Sequence, residues 1–333
     1  MSILVTGGAG YIGSHMVHEL IDQGEAVTVL DNLSTGFRSA VAPGARLVIG
    51  DIGDQALVRT LIRKHDIRAI IHFAGSIVVP DSMIDPLGYY NNNTVKSRAL
   101  IEAAVSTGVE NFIFSSTAAV YGTPEMSPVP ESAQLRPISP YGTSKLMTEL
   151  MLADTARAHD LRYVALRYFN VAGADPLGRT GQSTPRATHL IKAACQVALG
   201  ERPHLEVFGT DYPTADGTCV RDYIHVTDLV RAHVAALEHL RDGGASETFN
   251  CGYGRGASVL EVIETVKQVS GVDFPVHLAG RRPGDPAALV AGADRIRGML
   301  GWEPEYQDLE KIVTHAYAWE SRLAATKQVA LAG

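Results

Sequence analysis

The sequence predicts an α/β chain in which a doubly wound parallel sheet is joined to a smaller, mixed α/β part. Three observations lead to it. Short apolar segments alternate with helix-like segments up to about residue 170. The first apolar segment runs through a glycine-rich turn into a helix. After residue 170 the rhythm loosens into Gly- and Pro-rich chain. Apolar strands alternating with helices belong in a parallel sheet covered on both faces, with ligands bound beyond the carboxyl ends of the strands.

Residues 3–6 form the first strand. Gly7-Gly8-Ala9-Gly10-Tyr11-Ile12-Gly13 follows, and a helix is predicted over 14–23. Gly8, Gly10 and Gly13 fit the G-x-G-x-x-G spacing, while Gly7, Gly10 and Gly13 fit the G-x-x-G-x-x-G variant. Glycines let the backbone turn tightly and approach a pyrophosphate, which the helix N-terminus stabilises. Such a run can also be a ligand-free turn, but here it has a strand before it and a helix after it. The second strand, 26–30, ends at Asp31. An acid there can accept hydrogen bonds from both ribose hydroxyls of adenosine and would repel a 2′-phosphate, which favours NAD over NADP. The alternative is an aspartate that caps the next turn.

Residues 46–51 form a third strand, 55–64 a helix and 69–75 a fourth strand. The stretch holding Pro80 and Pro86 reads as irregular, and a helix follows over 92–106. A fifth strand, 111–117, ends in polar residues, where site groups belong. Ser139 then caps a helix with Pro140 at its first position. Tyr141 and Lys145 sit four apart on one face of it. A phenol titrates near ~10. A cation beside it favours the phenolate, giving a general base or acid near neutral pH. The spacing alone is a weak signal, because chance matches are common.

A sixth strand spans 163–168. Beyond it come a loop over 173–185, a helix over 189–199, a strand over 205–208 and a loop over 211–218. A helix over 226–240, a short strand over 248–250 and an amphipathic helix over 258–269 follow, the last with Val262, Ile263, Val266 and Val269 on one stripe. The segment Arg281-Arg282-Pro283-Gly284-Asp285 precedes a final helix near 309–323. Arg221 and Arg282 are candidate phosphate ligands, since guanidinium matches phosphate oxygens in fork geometry. Surface ion pairs are the alternative reading of both.

Bulk properties narrow the function classes. The net charge of −7 argues against general affinity for nucleic acid or acidic membrane surface. Cys195, Cys219 and Cys251 are odd in number and far apart, which suggests buried thiols in a reducing compartment. No apolar run reaches membrane-spanning length, and no leader-like region opens the sequence. A cytoplasmic protein is expected. His15 and His18 lie three apart on a helix without an evident carboxylate or Cys partner, so no metal site is expected.

Six segments together carry a resemblance. They are Thr6-Gly7-Gly8-Ala9-Gly10-Tyr11-Ile12-Gly13, Phe73-Ala74-Gly75, Ser115-Ser116-Thr117-Ala118-Ala119-Val120-Tyr121-Gly122, Tyr141-Gly142-Thr143-Ser144-Lys145, Arg167-Tyr168-Phe169-Asn170 and Arg221-Asp222-Tyr223-Ile224-His225-Val226. In this combination and order the chain, to about Trp319, resembles the extended short-chain dehydrogenase/reductase family, and in detail its sugar-nucleotide 4-epimerases. The resemblance implies a Rossmann-type domain over 1–172, with 219–250 returning to it, and a UDP-sugar-binding domain over 173–218 and 251–333. It implies tightly held NAD, a UDP-sugar substrate, interconversion of UDP-glucose and UDP-galactose through a 4-keto sugar, and a homodimer.

Residue by residue, it implies a catalytic group of Asn92, Thr117, Tyr141 and Lys145. NAD would be held by Gly7, Gly10, Tyr11, Ile12, Gly13, Asp31, Asn32, Asp51, Ile52, Phe73, Ala74, Gly75, Asn92, Tyr141, Lys145 and Tyr168. The UDP-sugar would be held by Thr117, Tyr141, Asn170, His189, Leu190, Phe208, Arg221, Arg282, Asp285 and Leu289. Three positions depart from the family pattern: Ile77 replaces a usual Lys, His189 a usual Asn, and Leu289 a usual Tyr or Cys. A UDP-xylose/UDP-arabinose 4-epimerase is the nearest alternative. A 4,6-dehydratase of the family places Asp-Glu directly after the active-site Thr, whereas Ala118-Ala119 follows Thr117 here. A non-enzymatic NAD-sensing module would not need the Tyr/Lys pair.

Overall fold

The structure, a computed structural model, describes residues 2–184, 188–282 and 284–332, with the side chains of 328–332 excepted. Pro185, the end of a loop expected from sequence, and Pro283, in the segment 281–285, lie outside the described residues. In chain order the first elements are β1 (Ser2–Thr6), α1 (Tyr11–Asp22), β2 (Ala26–Asp31), β3 (Arg46–Ile49), α2 (Gln55–Lys64) and β4 (Ile67–His72). Then come α3 (Val79–Ile84), α4 (Pro86–Tyr89), a π-helical turn (Tyr90–Val95), α5 (Lys96–Thr107), β5 (Asn111–Thr117), α6 (Pro140–Ala158) and β6 (Arg162–Tyr168). The remainder comprises β7 (Asn170–Ala172), α7 (Leu190–Ala198), β8 (Leu205–Phe208), β9 (Val220–Arg221), β10 (Tyr223–His225), α8 (Val226–Arg241), β11 (Glu247–Cys251), β12 (Ala257–Ser258), α9 (Val259–Ser270), β13 (Val276–Ala279), β14 (Ala288–Leu289), α10 (Asp294–Leu300) and α11 (Leu309–Ala332).

Seven strands form one sheet in the order β11-β6-β5-β4-β1-β2-β3, and every pairing in it is parallel. The apolar runs explain why. Side chains alternate across a strand, and here both faces meet a core. Ile3, Val5, Val29, Ile71, Ile113 and Val164 point into one core together with α1 and α8. Leu4, Leu30, Ile70, Phe112, Phe114 and Ala165 point into the other with α2 and α5. Each fully buried Leu, Ile or Phe contributes about 1.5–3 kcal/mol of transfer free energy, so both helix layers are held against the sheet.

The structure corrects several boundaries. α1 starts at Tyr11 rather than residue 14. β3 ends at Ile49 and β4 at His72, which leaves Asp51 and Phe73–Gly75 just beyond their strands, in the loops at the carboxyl edge. The stretch around Pro80 and Pro86 is two short helices, each with a proline in its first turn, where the missing N–H costs nothing. The helix expected from residue 92 opens as a π turn, and the last helix runs on to Ala332. The rest of the chain uses short strands. β7 pairs with β10, β9 lies between β12 and β14, and β8 pairs with β13.

Candidate active site

The glycine turn is packed backbone on backbone. Gly7 has φ +70°, and a Cβ on it would meet Ala74 N at 2.6 Å. A Cβ on Gly13 would lie 2.1 Å from Gly7 O. Both positions need glycine, and the turn lies against the end of β4 as a bare cradle. Gly10 caps α1 without a side-chain bond, and no acid occupies the first turn, so this helix N-terminus suits an anion. Asp31 accepts from Ala9 N at 2.9 Å and Leu33 N at 2.8 Å, one bond per oxygen. It therefore caps the next turn and holds the glycine loop at once. Each carboxylate oxygen retains capacity for a second donor, such as a ribose hydroxyl. Asn32 hydrogen-bonds Asp51, which also accepts from Gly53 N at 2.8 Å and pairs with Lys96. Ile52 is buried beside them. The glycines, Asp31 and the open helix end are the donor set and clearance that a dinucleotide requires, so the residues present fit NAD. Tyr11 turns its ring away and donates to Gly173 O at 2.7 Å, leaving its amide at the cradle.

Across the sheet edge, Ser139 Oγ accepts from Gly142 N at 3.2 Å to start α6. Tyr141 and Lys145 follow on one face, and both are buried. Thr117 is the last residue of β5. Its hydroxyl accepts from Ala119 N at 3.1 Å and hydrogen-bonds the Tyr141 phenol. Burial pushes that phenol above its ordinary pKa, and the Thr117 bond opposes the rise. Lys145 does not lower the phenol's pKa in this structure, against expectation. Its ammonium donates to Ser115 O at 2.9 Å and lies 5.0 Å from the centre of the Phe114 ring. In this buried site desolvation governs both groups, and burial lowers Lys145 to about 8. Tyr168, at the end of β6, hydrogen-bonds Ser115 Oγ, so Lys145 and Tyr168 share Ser115. Phe73 packs on His233 with ring centroids 4.8 Å apart.

Asn92 donates to Ser76 Oγ at 2.9 Å. Its neighbour Asn93, not singled out from sequence, is the buried one of the two. Asn93 Oδ1 accepts from Ser76 N at 2.7 Å, while its Nδ2 donates to Ser76 O at 2.9 Å and Ser144 Oγ at 3.0 Å. Asn93 thus fastens the loop after Gly75 to α6 one residue before Lys145. The signal available in sequence was the run of three asparagines, poor helix formers that compete for backbone bonds. It coincides with the π turn.

The expected substrate residues fall into linked groups. Asn170 N donates to Asp222 O at 2.9 Å, and Asp222 N donates to Leu289 O at 3.2 Å. Leu289 pairs with Arg221 in register. Arg221 bonds Pro286 O at 2.9 Å and approaches Asp285 at 3.4 Å. For Arg221 the ion-pair reading therefore describes this structure, with an expected substrate ligand as its partner. Arg282 instead covers the ring of Phe208, 3.7 Å from its centroid. His189 and Leu190 line a crevice with Asn170, Tyr11, Gly173 and Trp319.

Two carboxylates missed from sequence organise this side. Buried Asp222 accepts from the amides of Tyr253, Gly254 and Ala291 at 3.0, 2.9 and 3.2 Å. Buried Asp228 accepts from Glu305 N, Tyr306 N and the Tyr253 hydroxyl at 2.9, 2.8 and 2.6 Å. His15 and His18 do face a carboxylate, Asp175, but Arg179 pairs with Asp175 and with Asp22. No cluster able to hold a metal ion occurs among the described residues, and none of their helices is long and apolar enough to cross a membrane. The three cysteines are buried and free.

Similarity to known proteins extends over nearly the whole chain. A UDP-glucose 4-epimerase of Azospirillum brasilense is 60% identical over 321 residues, covering 96% of this chain and 92% of that protein. The crystal structure of UDP-glucose 4-epimerase from Brucella ovis in complex with NAD is 47% identical with a TM-score of 0.93, covering 95% of this chain and 97% of that one. That of UDP-glucose 4-epimerase from Stenotrophomonas maltophila, with bound NAD and formylated UDP-arabinopyranose, is 40% identical with a TM-score of 0.95, covering 98% and 99%. The sequence profile of the NAD dependent epimerase/dehydratase family matches residues 3–252. With the glycine cradle, Asp31 and the Tyr141–Lys145–Thr117 group at one sheet edge, the chain belongs to the NAD dependent epimerase/dehydratase family.

Proposed function

We propose that this chain interconverts UDP-glucose and UDP-galactose through a 4-keto sugar, using a resident NAD and reversible hydride transfer at carbon 4. The observation that carries the reading is the placement of Tyr141, Lys145 and Thr117 together at the carboxyl edge of the sheet that also bears the glycine cradle. The near-full-length likeness to UDP-glucose 4-epimerases supports it.

Gly7, Gly10 and Gly13, with the amides of Tyr11 and Ile12, cradle the pyrophosphate. Asp31 and Asn32 take the adenosine ribose. Asp51, Ile52, Phe73, Ala74, Gly75, Asn92 and Tyr168 line the remaining length of NAD, and Lys145 holds its nicotinamide ribose. Bound NAD supplies the hydride acceptor and donor for carbon 4.

Tyr141 takes the proton from the sugar's 4-hydroxyl and later returns it. Thr117 hydrogen-bonds the reacting oxygen and steadies the phenol. Lys145 places a positive charge near the phenolate once the site is filled. Asn170, His189, Leu190, Phe208, Arg221, Arg282 and Asp285 grip UDP, so the sugar can turn over in the pocket without leaving. For this, Arg221 exchanges its contact with Asp285 for phosphate, and Arg282 uncovers the Phe208 ring. Leu289 faces the sugar. By the domain division given from sequence, 1–172 with 219–250 and then 173–218 with 251–333, the UDP-sugar lies in the cleft between the two parts and draws residues from both. The pairing of β11 with β6 supports the return of 219–250.

The second reading, UDP-xylose/UDP-arabinose 4-epimerisation, rests on the UDP-arabinopyranose derivative held by the Stenotrophomonas relative. One experiment separates the two. The purified protein, without added cofactor, is incubated with UDP-glucose, UDP-galactose, UDP-xylose and UDP-N-acetylglucosamine. Fastest interconversion of the hexose pair is expected. A faster pentose reaction, or net oxidation, overturns the assignment.

A role in galactose metabolism, a cytoplasmic location and a homodimer belong to the same proposal. Exposed Met83, Ile84, Leu87, Val95, Met147 and Leu150 lie on mutually packed α3, α4, the π turn and α6. They offer an apolar face for a second copy.

A further inference from the structure

One buried carboxylate beside the reaction centre has no role in the chemistry above. Glu149 sits on α6 one turn beyond Lys145, itself one turn beyond Tyr141, and all three are buried. Glu149 accepts from Arg167 Nε at 3.0 Å and Nη2 at 2.6 Å, and from the hydroxyl of Ser116. Ser116 and Arg167 face each other across β5 and β6, and the next register pair is Thr117 with Tyr168. One carboxylate therefore binds the strand pair immediately behind two site residues to the helix that carries the other two.

We propose that Glu149 is a positioning residue that registers Tyr141 and Lys145 on α6 against Thr117 and Tyr168 at the strand ends. The inference rests on the reaction proposed above. A helix that slides by a fraction of an ångström moves the phenol relative to the Thr117 hydroxyl, and reaction rates fall steeply with such misplacement. Glu149 also carries the negative charge that favours the Lys145 ammonium. The other groups facing Lys145 are the neutral imidazole of His72, Ser115 O and the Phe114 ring. Those facing Glu149 are Arg167, Ser116, Tyr121 and Tyr163.

The test compares the NAD-loaded wild type with Glu149→Gln and Ser116→Ala for UDP-galactose turnover across pH, UDP affinity and thermal unfolding. Glu149→Gln keeps the shape and removes the charge. The expected outcome is a kcat at least tenfold lower, KM and UDP affinity within twofold, and an alkaline limb of the kcat profile moved to lower pH. Ser116→Ala removes one bond and leaves the ion pair, so a three- to tenfold lower kcat with unchanged KM is expected even if Glu149→Gln fails to fold. Wild-type kcat in Ser116→Ala overturns the inference. So does a Glu149→Gln enzyme that loses only thermal stability and keeps its kcat and pH profile. A wild type that turns over no UDP-sugar breaks the assigned reaction, and this inference with it.

Discussion

The two walls of the proposed cleft are built by different means. The wall carrying Tyr141, Lys145 and Thr117 is regular: two seven-residue strands and a 19-residue helix with a serine cap. Its side chains are placed by periodicity. The wall carrying Arg221, Arg282, Asp285 and Leu289 uses strands of two residues joined by irregular chain. Its backbone is placed by buried carboxylates: Asp222 and Asp228 take backbone amides that no ladder satisfies. A proton-transfer centre tolerates little error in distance. A surface proposed to hold UDP while the sugar turns over can be assembled from loops.

The largest expected effect tests whether the two walls fail together. His15, His72, His225 and His233 are buried, and desolvation lowers them to about 4, 3, 2 and 4. Their folded values lie below the unfolded 6.5, so the unfolded chain takes up protons first as pH falls. The stability they confer is intact above pH 6.5 and declines below it, by about 1.4 kcal/mol per pH unit for each histidine. Denaturant unfolding between pH 7 and 4.5 should show one cooperative transition with a falling midpoint. Two separated transitions would split the walls into independent units, and a flat midpoint would deny the neutral histidines.

Tyr141→Phe breaks the regular wall alone. The ring packs alike but carries no proton, so kcat should fall 10²- to 10⁴-fold, about 3–5 kcal/mol of barrier, with folding and bound NAD retained. A variant keeping a tenth of the wild-type rate would remove Tyr141 from its role. Asp222→Ala breaks the other wall. Three amides, two of them buried, lose their acceptor, at about 1–3 kcal/mol for an unsatisfied buried group. The measurement is KM for UDP-galactose beside the unfolding midpoint, and a rise in KM with kcat nearly kept is expected. A collapse of kcat at unchanged KM would show that the carboxylate serves the reaction centre.

The smallest expected effect sharpens the comparison. Leu289 is half-buried on the irregular wall, and Leu289→Cys would enlarge the space at the proposed sugar position. Overpacking costs roughly 1–3 kcal/mol, and relief of about half of that should raise kcat/KM for UDP-N-acetylgalactosamine relative to UDP-galactose by about threefold to tenfold. An unmoved ratio would make Leu289 a packing residue.

The regular wall was legible in the sequence because its information is local. Apolar runs marked β1, β2, β4 and β5, the Gly7–Gly13 spacing marked the cradle, and Ser139-Pro140 marked the start of α6. The bonds that fix the site were not legible. Lys145 is held by a strand carbonyl, Asn93 by Ser76 and Ser144, and Glu149 by Arg167 and Ser116. Each joins residues distant in sequence and leaves no period behind. The same holds for Asp222 and Asp228, whose partners are amides that could belong to any residue type.

The pairing of β11 with β6 has a consequence for how the chain is made. Residues 169–246, 78 in all, separate the two strands, and at about 5–20 residues per second they take roughly 4–16 s to emerge during synthesis. For that interval β6 is a bare parallel edge with unpaired amides and carbonyls. The strand ending in Tyr168 is thus, before it becomes an interior strand of the sheet, an edge of the nascent chain open to pairing with the wrong partner.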